Sequence, residues 1–221
     1  MILAIDTATR WLGLALHDGT AVLAEQGWRS FQTQTVELMP AIGEMLKREG
    51  ITAVDLKAIA VAIGPGSYTG LRVGLAAAKG MALANRTPLI GVSTLDILAA
   101  ATGPYEAQLL IAAEAGRSRV CAAIYRWHSR HGWQAHNEPV IEAWPELLAQ
   151  LNRPTVATGE ITADAAKLIR KAGHQVVPAA AATRRAGYLA EIGWQRLRKN
   201  KTDNASTLSP IYLRNPDGSK A

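Results

Sequence analysis

The chain has 221 residues and a formal net charge of +6, with 48% hydrophobic and 19% charged residues. That length supports one large domain or two small ones with a sizeable core, and the composition excludes a disordered polyelectrolyte. The single Cys121 excludes an internal disulfide and a cysteine-based zinc site, and it fits a reducing compartment.

The opening predicts three short strands, Ile2 to Asp6, Trp11 to His17 and Thr20 to Gly27, with a turn at Asp18-Gly19. Leu38, Met39, Ile42, Met45 and Leu46 then fall at helical spacing, closed by Gly50. Pro40 costs that helix a hydrogen bond unless it lies in the first turn. Ala58 to Ile63 reads as a strand buried on both faces. Gly64 to Gly70 is a loop, Leu71 to Asn85 a helix, Leu89 to Val92 a strand and Thr94 to Ala101 a short helix. The second half repeats the order. Gln108 to Glu114, Arg119 to Trp127 and Trp133 to Ile141 read as strands, Trp144 to Leu151 as a helix and Thr155 to Thr158 as a strand. A helix from Ile161 to Ala172 and a last one from about Thr183 to Asn200 follow. Asp6 and Glu114 each end a first strand before small residues, 108 positions apart. The expectation is a duplicated α/β protein, with lobes at residues 1–102 and 103–221 divided at Thr102-Gly103-Pro104 and the last, basic helix in the second lobe.

Val73 to Ala84, the longest apolar stretch, is too short for a membrane span and is broken by Lys79. The N-terminus has no basic region and reaches an acid at Asp6, so a signal peptide is not expected and a cytoplasmic location is. The positive charge is uneven. Arg184 to Lys201 holds six basic residues against Glu191 alone. Arg196, Arg198, Lys199 and Lys201 are therefore candidate contacts to a nucleic acid or an acidic partner or, equally, a solvated face.

The β-β-β-α-β-α order in two lobes resembles actin, the sugar kinases and the chaperone ATPases. The strings Ile2-Leu3-Ala4-Ile5-Asp6-Thr7-Ala8-Thr9 and Gly64-Pro65-Gly66-Ser67-Tyr68-Thr69-Gly70-Leu71-Arg72 resemble the TsaB (YeaZ) family more closely, as does the ending Pro210-Ile211-Tyr212-Leu213-Arg214. Three residues depart from that pattern. Glu114-Ala115-Gly116 stands where Asp-Ala-Arg is frequent, and Gln32 where a His is common. The resemblance implies a non-catalytic subunit that holds TsaD active in forming threonylcarbamoyladenosine in tRNA, alongside the TsaE ATPase. It also implies a homodimer when the chain is alone, and tRNA reached through the complex.

The residues themselves leave some chemistry open. The Gly64 to Gly70 loop could hold an anion on its backbone amides or could simply make a tight turn. It lacks the Lys-Ser/Thr of a phosphate loop. Asp6 stands where related ATPases hold a metal-bound water, but Ala8 fills the space a Gly leaves in such sites, and Gly159-Glu160 puts a carboxylate near the nucleotide position. No His-x-x-x-His pair occurs, and His128 and His131 flank Arg130 in a hairpin, so no metal site is expected. Ser67 has no partnered His nearby in sequence. Catalytic residues and a cofactor are not expected. A small-molecule kinase or ATPase and a direct tRNA-binding module are the alternatives. The helix from Leu71 to Asn85 is apolar or small nearly all round, so it must bury a second face, within its own lobe or against a partner. The family resemblance implies pairing through the first two helices. It places Leu38, Ile42, Met45, Leu46, Arg72, Gly74, Ala77, Ala78 and Met81 at the partner interface.

Overall fold

Ile2–Asp6 is buried at every position and forms β1, the strand on which the first half of the chain is assembled. A computed structural model describes residues 1–31, 33–115 and 119–212, so Gln32, Gly116, Leu213 and Arg214 lie outside the described residues. Antiparallel β2 (Trp11–His17) and β3 (Val22–Arg29) extend one side of β1, and parallel β4 (Ala58–Gly64) and β5 (Leu89–Ser93) the other, in the order β3-β2-β1-β4-β5. The alternation of side chains along β1 assigns its two faces. Leu3 and Ile5, with Leu14, Leu16, Ile59 and Val61, pack under α1 (Gln34–Arg48) and α2 (Tyr68–Asn85). Ile2 and Ala4, with Ala15, Ala58, Ala60 and Ala62, form the opposite face, which is mostly alanine.

That alanine face is covered by the last helix, α6 (Ala186–Arg198), through Ala186, Leu189 and Ala190. The expectation that this helix belongs to the second lobe is therefore corrected. The first compact unit is Met1–Ile97 with Arg185–Ile211, and the second is built on Leu98–Arg184. The reason is steric. A Cβ at Gly193 would lie 2.7 Å from that of Ala60, so α6 approaches the sheet where both sides are small. The start of α6 is clasped to β3 by Glu25, which accepts the Gly187 N–H at 2.8 Å and pairs with Arg185. Hydrogen bonding to Glu25 raises the pKa of Arg185 further. Beyond α6 the chain stays with the first unit. The Asp203 N–H donates to Leu89 O at 2.8 Å, and the Ile211 N–H to Ile63 O at 2.7 Å.

The second unit repeats the sheet in the order β11-β10-β6-β7-β8. Here β6 (Gln108–Glu114) pairs antiparallel with β7 (Arg119–His128) and parallel with β10 (Thr155–Gly159), and β10 pairs parallel with the two-residue β11 (Gln175–Val176). The stretch expected as one strand over 133–141 is two, β8 (Gly132–Ala135) and β9 (Val140–Ala143), paired with opposite halves of β7. Ile124 makes the break. Its carbonyl accepts the His136 N–H and its own N–H donates to Asn137 Oδ1, both at 2.7 Å. Helices α4 (Trp144–Ala149) and α5 (Ala163–Lys171) cover Leu110, Ala112, Val120, Ala122 and Ala157. The short α3 (Thr94–Ala100) runs from β5 of the first unit into the second. No helix among the described residues is long and apolar enough to cross a membrane.

Cys121 pairs across from Ala113 inside the second sheet, and burial pushes its thiol up to about 12. A thiolate is the reactive form. Alkylation of the native chain by iodoacetamide at pH 8 should therefore be negligible and should become complete in denaturant, as read by intact mass. Rapid native labelling would show that β7 opens.

Candidate functional site

The strand β1 ends in a turn that the glycine loop closes over. Asp6 is 1% exposed, and its Oδ1 accepts the Ala8 N–H at 3.0 Å. The Ser67 N–H donates to Ala8 O at 2.6 Å, and the Thr7 hydroxyl to Gly70 O at 2.7 Å. Side chains are excluded from this contact. A Cβ at Gly66 would overlap the Ala8 carbonyl, one at Gly70 the Thr7 carbonyl, and one at Gly74 the Thr7 hydroxyl. Of the two roles open to the loop, the tight turn is the one its geometry displays. Ser67 caps α2, its Oγ accepting the Gly70 N–H at 3.3 Å. In the second unit Gly159, at φ +103°, lies against Ala112, and Glu160 accepts the Glu114 N–H at 2.8 Å. The nearly fully buried Arg184 side chain pairs with Glu160 at 3.5 Å. Among the described residues no group of three or more His, Cys, Asp or Glu could hold a metal ion.

The packed stripe of the first two helices differs from the expected interface. Leu38, Ile42, Met45 and Leu46 of α1 and Ala78 of α2 are buried in the core of their own unit, and Gly74 lies on Thr7. These six residues are corrected from partner contacts to core residues, because an amphipathic helix turns its strongest apolar stripe to its own sheet. Arg72 remains exposed, its guanidinium 3.9 Å from the centroid of the Tyr68 ring, while Ala77 and Met81 are half-buried at the edge of the core.

A second apolar stripe is exposed on the same two helices. On α1 it comprises Val36 (68% exposed), Met39 (48%), Pro40 and Gly43. On α2 it comprises Ala76, Gly80 and Leu83 (66%). A side chain at Gly43 or Gly80 would meet no atom within 4 Å. The spacing 36, 39, 40, 43 and 76, 80, 83 is helical, so this stripe was readable in the sequence beside the stronger one. Pro40 lies inside α1 rather than in its first turn, and Val36, whose carbonyl loses that partner, is on the exposed side. The start of α1 is fixed by Glu37, which accepts Trp28 Nε1–H at 3.0 Å and the Thr33 hydroxyl at 2.5 Å. These side-chain hydrogen bonds, Thr33 first, hold its carboxyl below the ordinary range. The stability they contribute is present above the ordinary carboxylate pKa and is lost as pH falls through the lowered native value.

Half of the six cations of the basic C-terminal segment are engaged within the fold. Arg184 pairs with Glu160, Arg185 with Glu25, and Arg196 donates to Gly91 O at 2.7 Å. Arg196, half-buried, ties α6 to β5 through this bond. Arg198, Lys199 and Lys201 are exposed.

The contact between Gly74 and Thr7 is testable by a double-mutant cycle. Gly74→Ala should lower stability by roughly 1–3 kcal/mol through overpacking. Thr7→Ala removes the hydroxyl that the new methyl would meet, so the double variant should cost less than the two single changes together. Chemical denaturation of the four proteins checks this, and strict additivity would contradict the contact.

The protein-family model described as "TsaD: tRNA N6-adenosine threonylcarbamoyltransferase" matches residues 31–220. The tRNA threonylcarbamoyladenosine biosynthesis protein TsaB of Escherichia coli is 32% identical over 226 aligned residues, covering 97% of this chain and 94% of that protein. TsaB of Bacillus subtilis is 33% identical over 165 residues, covering 73% of this chain and 71% of that protein. Among solved structures, YeaZ from Pseudomonas aeruginosa superposes with a TM-score of 0.76 at 20% identity, covering 96% of this chain and 99% of that one. That likeness is one of fold, and the duplicated sheets are those of the two-lobed actin-like class. With a family model matched over most of its length and curated relatives aligned across both units, the chain belongs to the TsaB family of tRNA threonylcarbamoyladenosine biosynthesis proteins.

Proposed function

We propose that this chain is a non-catalytic subunit that binds a TsaD homologue and supports it in forming N6-threonylcarbamoyladenosine in tRNA, in the cytoplasm. The observation that carries the reading is the exposed stripe of Val36, Met39, Gly43, Ala76, Gly80 and Leu83 on α1 and α2. Small residues at Gly43, Ala76 and Gly80 let a facing helix backbone come close, while Val36, Met39 and Leu83 supply apolar area to bury. The chain matches the TsaD family model itself, so a TsaD subunit would present a corresponding helix pair. The same face would then serve a second copy in a homodimer when the chain is alone, as an isologous contact uses one patch twice. Arg72 stacked on Tyr68 would lie at the polar rim. A TsaE-type ATPase would join the assembly, and tRNA would be met through it, with Arg198, Lys199 and Lys201 as exposed basic residues on this chain. The non-catalytic reading is supported by the use of Ser67 as a helix cap and by the glycine loop seated on Thr7 and Ala8.

Arginine scanning separates the two stripes. Gly80→Arg and Met39→Arg should leave the chain folded but weaken capture of the TsaD homologue by roughly a hundredfold, about 3 kcal/mol for forcing an unpaired charge into the contact. Ala78→Arg should instead unfold the chain, since Ala78 is fully buried in its own core. Folded Gly80→Arg and Met39→Arg proteins that still hold the TsaD homologue would place the interface elsewhere.

Calorimetry tests the kinase or ATPase alternative. The purified chain should bind ATP only weakly and should not hydrolyse it. Micromolar affinity lost on Asp6→Ala would overturn the non-catalytic reading.

A further inference from the structure

The hairpin between β7 and β8 in the second unit presents an indole to solvent on a basic turn. Trp127 is 43% exposed, whereas its cross-strand partner Trp133 is buried. Trp133 is anchored, its Nε1–H lying 3.1 Å from both Thr102 O and Gly103 O. Trp127 meets it edge-on, with ring centroids 5.4 Å apart and planes at 76°. Gly132, at φ +68°, supports the same ring, since a Cβ built there would lie 3.7 Å from Cζ3 of Trp127. The indole is therefore held by the hairpin while much of it stays open.

The surroundings decide what could cover it. From Arg126 to His136 the chain carries two arginines and three histidines and no acid. His128, Ser129, Arg130, His131, Gln134 and His136 are all exposed. A protein contact centred on a tryptophan usually continues into further apolar surface with charge depleted at its core. Here the exposed residues of the same hairpin are cationic or hydrogen-bonding, Arg130 among them, rather than apolar. An aromatic platform beside positive charge is the arrangement that takes an unpaired base by stacking and its phosphate by charge. The end of α6 offers no such platform, because Trp194 is partly buried with its ring 6.2 Å from that of His17.

We infer that the β7–β8 hairpin is an RNA-binding site, in which Trp127 stacks on an unpaired base and Arg130 meets an adjacent phosphate. The inference rests on the tRNA-linked reading above only for its physiological ligand, a single-stranded or loop segment of tRNA. The stacking itself depends on nothing but the hairpin.

The test uses the full chain with fluorescein-labelled oligoadenylate of about twelve nucleotides and with unfractionated tRNA, read by fluorescence anisotropy at low salt. Trp127→Ala should weaken binding of both by about tenfold or more, while Trp127→Phe keeps most of the affinity. Arg130→Gln should flatten the dependence of log K on log salt by about 0.7, the loss of one phosphate contact on a single strand. Far-UV circular dichroism should show all three folded, with a small fall in melting temperature for Trp127→Ala, which loses the edge-on contact with Trp133. Wild-type affinities in Trp127→Ala and Arg130→Gln would overturn the proposal, as would a wild-type chain that binds neither RNA. Loss of TsaD-homologue capture in Trp127→Ala with RNA affinity intact would also overturn it and make the hairpin a protein contact. Conversely, if no variant of the α1–α2 face affects capture while Trp127→Ala loses RNA, the assembly reading falls and the RNA site stands.

Discussion

The seating of the glycine loop on Thr7 and Ala8 fixes the rest of the first unit. Three successive glycines, at positions 66, 70 and 74, bring the loop and the first two turns of α2 onto the end of β1 with no side chain between. The Thr7 hydroxyl and the Ala8 carbonyl complete the contact by hydrogen bonding to that loop. Once α2 is held there, its Leu75, Ala78 and Ala82 must point to the sheet. Ala76, Gly80 and Leu83 must then point away. The exposed face thus follows from the steric constraint at positions 66, 70 and 74, and α1, packed beside α2, continues it.

The two faces of the first sheet use different chemistry for different ends. Branched side chains meet α1 and α2, and bulk there sets those helices off from the sheet. Alanines meet α6, which comes close at Gly193. Close approach gives little apolar area per residue, so the helix needs other ties. It has them in the Glu25 clasp at its start and in Arg196 near its end. Two of the six cations of the basic segment, Arg185 and Arg196, therefore hold α6. Clustering of basic residues reports local charge, and only the partners reveal how much of that charge is available.

The sequence made some of this legible and hid the rest for physical reasons. The order of elements along the chain and their duplication were readable, because periodicity and breaker residues are local signals and Asp6 and Glu114 mark equivalent strand ends. The placement of α6 was not, since contacts from Glu25 to Arg185 and Gly187 span most of the chain. The strand split at Asn137 was hidden because Asn137 acts through the backbone of Ile124, on another strand. The exposed helix face was half visible. Leu38, Ile42, Met45 and Leu46 were correctly seen as a helical stripe, but a stripe that strong belongs to the helix's own core. The weaker stripe of Val36, Met39 and Gly43 is the one left exposed, and scattered small residues give it little contrast.

The two units show how one topology is held by different means. In the first, the strand-to-helix turn is closed by glycines against Thr7 and Ala8, with a buried acid beside it. In the second, the corresponding turn is closed by an ion pair, Glu160 with Arg184, and by the Glu160 carboxylate on the Glu114 amide. A carboxylate and a guanidinium in that position satisfy one another, so the turn carries its own counter-charge. The first unit has turned its free surface to small and apolar residues on two helices. The second has kept an open indole and uncommitted cations at the far end of its hairpin. Helix-face and hairpin surfaces of such different chemistry suit different occupants, a packed helix pair for one and a flat, charged polymer for the other.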